Sequence, residues 1–215
     1  MPPKNKFTKE EIIKTALEIV RERGQKYVTA KEIAVRLGVS TRPIFTSFKT
    51  MDELRKEMYN AAVELYHEYL SEGLESKIPF LGFGMQYIRF AREETELYKL
   101  IFIDPPADGK CSAIAEMKRS LEIVREPLQR IYNISSAEAE LYFRDMWLVV
   151  YALAALIAVG ENTYSDKEIS KILTEFSISI CRSVKEIPGF ADGSFDRDKL
   201  FRETIKSNIE KREGE

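Results

Sequence analysis

Between Thr29 and Lys49 the chain gathers side chains suited to gripping a polyanion and reading its edges. The segment runs TAKEIAVRLGVSTRPIFTSFK. Ser40, Thr41, Arg42, Thr46 and Ser47 place hydroxyls and one guanidinium on a short stretch that follows Gly38. Hydroxyls bond phosphate oxygens or base edges, and a guanidinium forks onto the O6 and N7 of guanine. Thr29 opens an earlier helix, whose free N–H groups suit a phosphate. Pro43 and Phe45 lie among the reading side chains, and Lys49 adds attraction to a nucleic-acid backbone. The chemistry is recognition of double-stranded DNA, with no nucleophile or general base in the set.

The elements that would position these groups are helices. Thr8/Glu11, Thr29/Glu32, Thr50/Glu53, Ser135/Glu138 and Ser165/Glu168 each have capping-box spacing, in which Ser or Thr and a Glu three residues on satisfy each other's free N–H groups. Each precedes an apolar-periodic stretch, so the chain is expected to be all-α. A first helix is predicted over 9–23, with Ile12, Ile13, Ala16, Leu17 and Val20 inward and Gly24 as its stop. A second spans 30–37, with Ile33, Ala34 and Leu37 inward. The third is expected to start at Ser40 as its N-cap, with Pro43 in the first turn, where no intrahelical N–H bond is lost. Ile44, Phe45 and Phe48 would form its apolar face. Two short helices across a Gly-centred turn make a helix-turn-helix, whose second helix enters the major groove. A fourth helix runs from Thr50 to about Leu74. Further helices are expected near 78–92, 95–103, 112–132, 136–161 and 165–186, with a loop at Pro105-Pro106 and Asp108-Gly109, and an amphipathic tail at 196–211. The domain reading is a three-helix head over 1–53, then a helical ligand-binding and dimerisation bundle over 54–215.

Charge is divided along the same line. The formal net charge is −2. Residues 1–53 carry 11 Lys and Arg against 7 Asp and Glu, a net +4, while the remainder carries 22 against 28, a net −6. A basic head on an acidic body is expected where only the head meets phosphate. In the body, Met146–Val159 is apolar around the whole helix circumference, and such a helix must be covered on every side. The helices near 136–161 and 165–186 are therefore the candidate homodimer interface. Phe80, Phe83, Tyr87 and Phe90 follow helical spacing on one face. With Tyr98, Phe102, Met117, Trp147 and Tyr151 they form an aromatic set. From it Phe83, Tyr87, Phe90, Met117, Trp147 and Tyr151 are the candidate walls of a mostly apolar ligand cavity.

Residues 8–54 resemble the amino-terminal domain of the TetR family of regulators. The likeness rests on Gly24 ending the first helix, Thr29 opening the second, the turn Gly38-Val39-Ser40, the Phe45-Thr46-Ser47-Phe48 aromatic-x-x-Phe, and Asp52-Glu53-Leu54 at the start of helix four. The resemblance implies a cytoplasmic homodimeric repressor of a roughly palindromic operator, released when a small effector shifts helix four. Two heads held ~34–36 Å apart would read successive major grooves. Two positions depart from the pattern. The family often has Tyr where this chain has Phe45, and Lys where it has Met51, so two backbone contacts worth ~1 kcal/mol each are lost.

Other features narrow the alternatives. Cys111 and Cys181 are isolated and read as reduced thiols. His67 is the sole histidine and reads as a surface or packing residue. No Cys/His cluster, Gly-rich phosphate loop or nucleophile elbow occurs, which argues against a metal, a cofactor or an enzyme. The longest apolar run is 14 residues, against the ~20 that span a bilayer, and the start of the chain is polar. Two other readings stay open: a helical DNA-binding protein without an effector or without sequence preference, and an enzyme using the helical cavity.

Overall fold

The computed structural model describes residues 7–106, 111–203 and 205. Lys4, Lys6, the Asp108-Gly109 turn and most of 204–211 lie outside them. Among the described residues there is no strand. The helices are α1 (Lys9–Arg23), α2 (Ala30–Leu37), α3 (Arg42–Ser47), α4 (Met51–Leu74), α5 (Pro79–Glu93), α6 (Thr95–Tyr98), α7 (Ala113–Tyr132), α8 (Ser136–Ala158) and α9 (Asp166–Glu186). A 3-10 turn joins α1 to α2 (Gln25–Tyr27), and α6 continues into a π-helical turn, Lys99–Ile103. Residues 197–203 are helical.

Capping explains where the long helices begin. Thr8, Thr29, Thr50, Ser135 and Ser165 each accept a hydrogen bond from the backbone N–H three residues on. The reciprocal Glu bond closes at Thr8, Ser135 and Ser165. At the other two starts the Glu is engaged elsewhere. Glu32 pairs with Arg23 and Arg36, and Glu53 accepts from the Lys49 backbone N–H at 2.7 Å.

In the head, Ile12, Ala16, Ile19 and Val20 of α1 pack with Ile33 and Ala34 of α2, Ile44 and Phe48 of α3, and Leu54 and Met58 of α4, all buried. Ile13, Leu17 and Leu37 are half-buried. Burial of this kind stabilises the fold by about 25 cal/mol per Å² of apolar surface taken out of water. One position differs from the sequence expectation. Phe45 does not join the apolar face of α3 but is 48% exposed. In a helix of six residues only one narrow stripe faces inward, and Ile44 and Phe48, four residues apart, fill it.

The body is a bundle in which α4 packs on α5, α5 on α8, α7 on α8 and α8 on α9, while α1 rests on α4 and α6. At the α4–α5 crossing the backbones touch. A Cβ on Gly73 would stand 2.6 Å from the Gly82 backbone, so only glycine admits this approach. α8 is not covered all round. Trp147, Val150, Leu153, Ala154 and Ala158 are buried, but Leu148 is 50%, Leu156 40% and Val159 61% exposed, and Ala152 is exposed between them. These side chains recur every three or four residues and form one uncovered stripe. Phe176 and Ile178 on α9 are also half-exposed. α8 has the length and apolarity to cross a membrane, with half of its apolar window buried against the rest of the protein.

Candidate functional site

The turn between α2 and α3 is built by Gly38. It sits at φ 64°, ψ 38°, a left-handed conformation that favours glycine. Its N–H bonds Val35 O at 3.2 Å, and the Val39 N–H bonds Ala34 O at 3.0 Å. That pair of bonds is a Schellman motif, which ends a helix sharply and sends the chain off at an angle. α3 follows, and it starts at Arg42 rather than at Ser40. The first turn hangs on the Thr41 carbonyl, which accepts from Ile44 N–H at 3.2 Å and Phe45 N–H at 3.3 Å. Thr41 is already helical at φ −71°, ψ −12° and makes no side-chain cap. A capping hydroxyl needs extended backbone to reach the first-turn amides. Ser40 is therefore not the N-cap, and it precedes α3 in the turn. Pro43 lies in the first turn, where its missing N–H costs nothing.

Ser40, Thr41, Arg42, Thr46 and Lys49 are exposed, while Pro43 and Ser47 are half-buried. Their bonding separates their chemistry. Thr46 donates its hydroxyl proton to the Arg42 carbonyl at 2.9 Å, which leaves oxygen lone pairs for a donor such as a base amino group. Thr29, exposed at the start of α2, accepts from the Glu32 N–H at 3.1 Å, which leaves its proton for a phosphate. Phe45 offers an apolar ring able to meet a thymine methyl group.

Much of the head's positive charge is committed internally. Arg36 forks onto Glu22 at 2.6 and 2.9 Å, an arrangement that raises the guanidinium's pKa and lowers that of the carboxyl. Arg21 forks onto Glu94 at 2.8 and 2.9 Å. Arg23 meets Glu32 at 3.4 Å and lies over the Tyr27 ring. Lys9 meets Glu53 at 3.6 Å. Among the described residues of the head, Lys14, Lys26, Lys31, Arg42 and Lys49 are exposed and join no ion pair, and of these Lys31, Arg42 and Lys49 stand at α2 and α3. Lys31 stands in the first turn of α2 beside Thr29, a place that residue type and spacing do not single out. The summed charge of the head does not reveal which cations are free.

The candidate cavity residues separate into two groups. A cleft of about 30 Å³ between α5 and α8 is lined by Phe83, Tyr87 and Trp147, with Phe80, Phe143 and Met146 among its other walls. Phe90, Met117 and Tyr151 do not line it. Phe90 packs between Tyr66 and Tyr69. Tyr151 stacks on Trp147 at 4.9 Å and donates to the Phe102 carbonyl at 3.4 Å. Met117 is half-buried on α7 against the core. Behind the cleft, Tyr66, Tyr87, Tyr98 and Phe102 form a buried ring cluster. Burial holds the Tyr66 and Tyr87 hydroxyls well above their ordinary pKa, so both stay protonated.

A second polar centre joins α4 to α7. Glu116 is fully buried, and its carboxylate accepts from Arg119 at 3.0 Å and meets His67 Nε2 at 2.6 Å. His67, part-exposed and packed against Tyr66, is also the partner of a buried carboxylate. No spacing signals this pair, because its members come from two distant helices.

Residues 12–58 match the family model described as bacterial regulatory proteins, tetR family. No curated protein matches the chain in sequence. Solved structures share its fold. A transcriptional regulator from Rhodococcus sp. Rha1 is 20% identical with a TM-score of 0.62, over 85% of this chain and all of that one. A TetR-family member from Streptomyces coelicolor A3 is 17% identical, TM-score 0.55, covering 81% of this chain and 98% of that one. NalD of Pseudomonas aeruginosa, the secondary repressor of the MexAB-OprM multidrug efflux pump, is 13% identical, TM-score 0.51, covering 81% and 96%. The chain thus carries, over residues 12–58, the amino-terminal domain of the tetR family of bacterial regulatory proteins, and it shares its all-α fold with solved transcriptional regulators.

Proposed function

We propose that the chain acts in the cytoplasm as a homodimeric repressor that binds a roughly palindromic operator and leaves it when a small, largely apolar effector enters the body. The head, residues 1–53, reads DNA, and residues 54–215 pair the chains and hold the effector. The observation that carries the reading is the exposed α3, whose Arg42 is free of internal ion pairs while the arginines of α1 and α2 are engaged. Arg42, Ser40 and Thr41 reach base edges, and Thr29, Lys31 and Lys49 hold phosphates. Phe45 and Ser47 pack against the groove wall. Pairing through α8 and α9 supplies the second head, and it covers the stripe of Leu148, Ala152, Leu156 and Val159 that one chain leaves in water. That NalD is a repressor agrees with this direction of control.

The test is selection of bound sequences from a random duplex library, with mass measurement of the free protein. The expected outcome is an inverted repeat with half-sites about 10–10.5 bp apart or a multiple of that, bound by a species of twice the chain mass. A monomer in solution, or binding with no sequence enrichment at fixed salt, overturns the proposal.

A further inference from the structure

We propose that the effector is an uncharged, flat aromatic molecule with a carbonyl-type acceptor, seated between α5 and α8 and held by the indole N–H of Trp147. The inference rests on the repressor reading above and names the chemistry of its effector. Three observations carry it.

The first is what the cleft lacks. Its lining is Phe80, Phe83, Tyr87, Phe143, Met146 and Trp147 with small and aliphatic neighbours and the Tyr142 ring, and it holds no acid or base. A charged ligand would be taken from water with nothing to pair it, a cost of many-fold in affinity. The second is what the lining leaves unmet. Trp147 is 4% exposed, and its Nε1 is buried with no hydrogen-bond partner. An indole nitrogen can only donate, so it asks for an acceptor. Such orphans are uncommon in folded proteins and call for an explanation. Tyr87 is 1% exposed, and its hydroxyl has the Tyr98 side chain beside it. The Tyr142 hydroxyl is already engaged, at 2.8 Å from Ser177 and 3.3 Å from Tyr132.

The third is shape. The cleft holds only about 30 Å³, so a ligand must part the walls. A flat ring system needs them to separate by little more than one ring thickness, about 3.5 Å, and it regains aromatic contact on both faces. A bulky aliphatic molecule of equal mass must move two helices further. Phe80 and Met146 are half-buried at the cleft, and a thioether side chain is readily displaced.

Three probes of similar outline separate the requirements: coumarin (neutral, with an acceptor), naphthalene (no acceptor) and coumarin-3-carboxylate (anionic). Each is titrated into the full-length protein by calorimetry. Emission is recorded in parallel, since Trp147 is the only tryptophan and reports on its own surroundings. Coumarin is expected to bind about tenfold more tightly than either of the others and to change the emission. In Trp147→Phe, which keeps a ring and removes the donor, coumarin should lose that preference over naphthalene. Equal affinity for naphthalene, tighter binding of the anion, no binding of coumarin, or a preference that survives in Trp147→Phe each overturns the inference. The wild-type comparison stands without the variant. The same preparation is assayed on library-selected DNA. Intact DNA binding with no discrimination among the probes sinks only the effector chemistry, whereas absent DNA binding sinks the repressor reading beneath it.

Discussion

The buried carboxylate of Glu116 makes an unusual stability prediction, because its two partners are not buried as it is. The Glu116 side chain has no exposure, while His67 is 27% and Arg119 45% exposed. A carboxylate without solvent depends wholly on its hydrogen bonds, whereas a part-exposed donor that loses its partner turns to water. Removing a partner should therefore cost more than removing the buried charge. His67→Ala deletes a contact of 2.6 Å and leaves the carboxylate with Arg119, whose help is screened by its exposure. A hydrogen bond to a charged group is worth about 1.5–3 kcal/mol, and the loss should fall in the upper half of that range. Glu116→Gln keeps shape and acceptor oxygen, removes the buried charge, and should cost about 1 kcal/mol. The double variant should then be more stable than His67→Ala alone, a coupling that additivity forbids.

Urea unfolding at one protein concentration, at neutral pH, reads this as shifts in midpoint at constant slope. The fixed concentration matters, because a paired chain is stabilised by mass action. If Glu116→Gln costs as much as His67→Ala, or if the two losses simply sum in the double variant, the carboxylate is not the group that depends on its partners, and the reasoning fails.

Arg42→Ala should relax sequence preference at one position of each half-site by about 1–3 kcal/mol, whereas Lys49→Ala should weaken every duplex alike and reduce the salt slope by about one; anisotropy titrations on selected and scrambled DNA at several salt concentrations separate the two. Leu156→Glu places a charge in the uncovered α8 stripe and should give a monomer by sedimentation, with operator affinity falling by at least tenfold; an unchanged dimer would place the interface elsewhere. At alkaline pH, Tyr69 is pushed up to about 12 by burial and by its bond to Glu93, and burial raises Tyr66 and Tyr87 further. Above pH ~10 the unfolded chain therefore holds fewer protons than the folded one, and stability should fall as pH rises through that range. Circular dichroism melts at pH 9 and 11 check the sign, and equal midpoints would refute it.

Helix positions were legible in the sequence wherever capping chemistry and apolar period agreed. Thr50 to Leu74 was read as one helix, and α4 runs Met51–Leu74. α3 was legible as an element but not in detail. Six residues hold too little periodicity to tell a packed ring from an exposed one, so Phe45 was placed inside. The first accepting carbonyl is that of Thr41, which spacing alone does not show. In the body, period identified one face of α5 but not its neighbours. Phe83 and Tyr87 meet α8 at the cleft, while Phe90 turns to α4. The pairing of His67 with Glu116, and of Arg21 with Glu94, depends on how distant helices cross, and no local pattern encodes it.

These long-range pairs also show how the head is held. α4 carries Leu54 and Met58 in the head's core and Tyr66 and Leu70 deep in the body, so its two ends cannot move independently. The other joint is polar and lies at the surface. Arg21 forks onto Glu94, and the Gln25 amide reaches the Asp104 carbonyl at 2.5 Å and its carboxylate at 2.8 Å. Those acceptors flank α6 and the π-helical turn, whose Tyr98 and Phe102 stand beside Tyr87. π turns sit where a helix gives up regular hydrogen bonding for placement of particular side chains. Exposed pairs of this kind contribute about 0–1 kcal/mol each, while a ligand shifting a two-state equilibrium works with about 1–3 kcal/mol. On the proposed reading, a molecule that displaces Tyr87 therefore has enough free energy to undo the polar joint, and too little to unpack the α4 core.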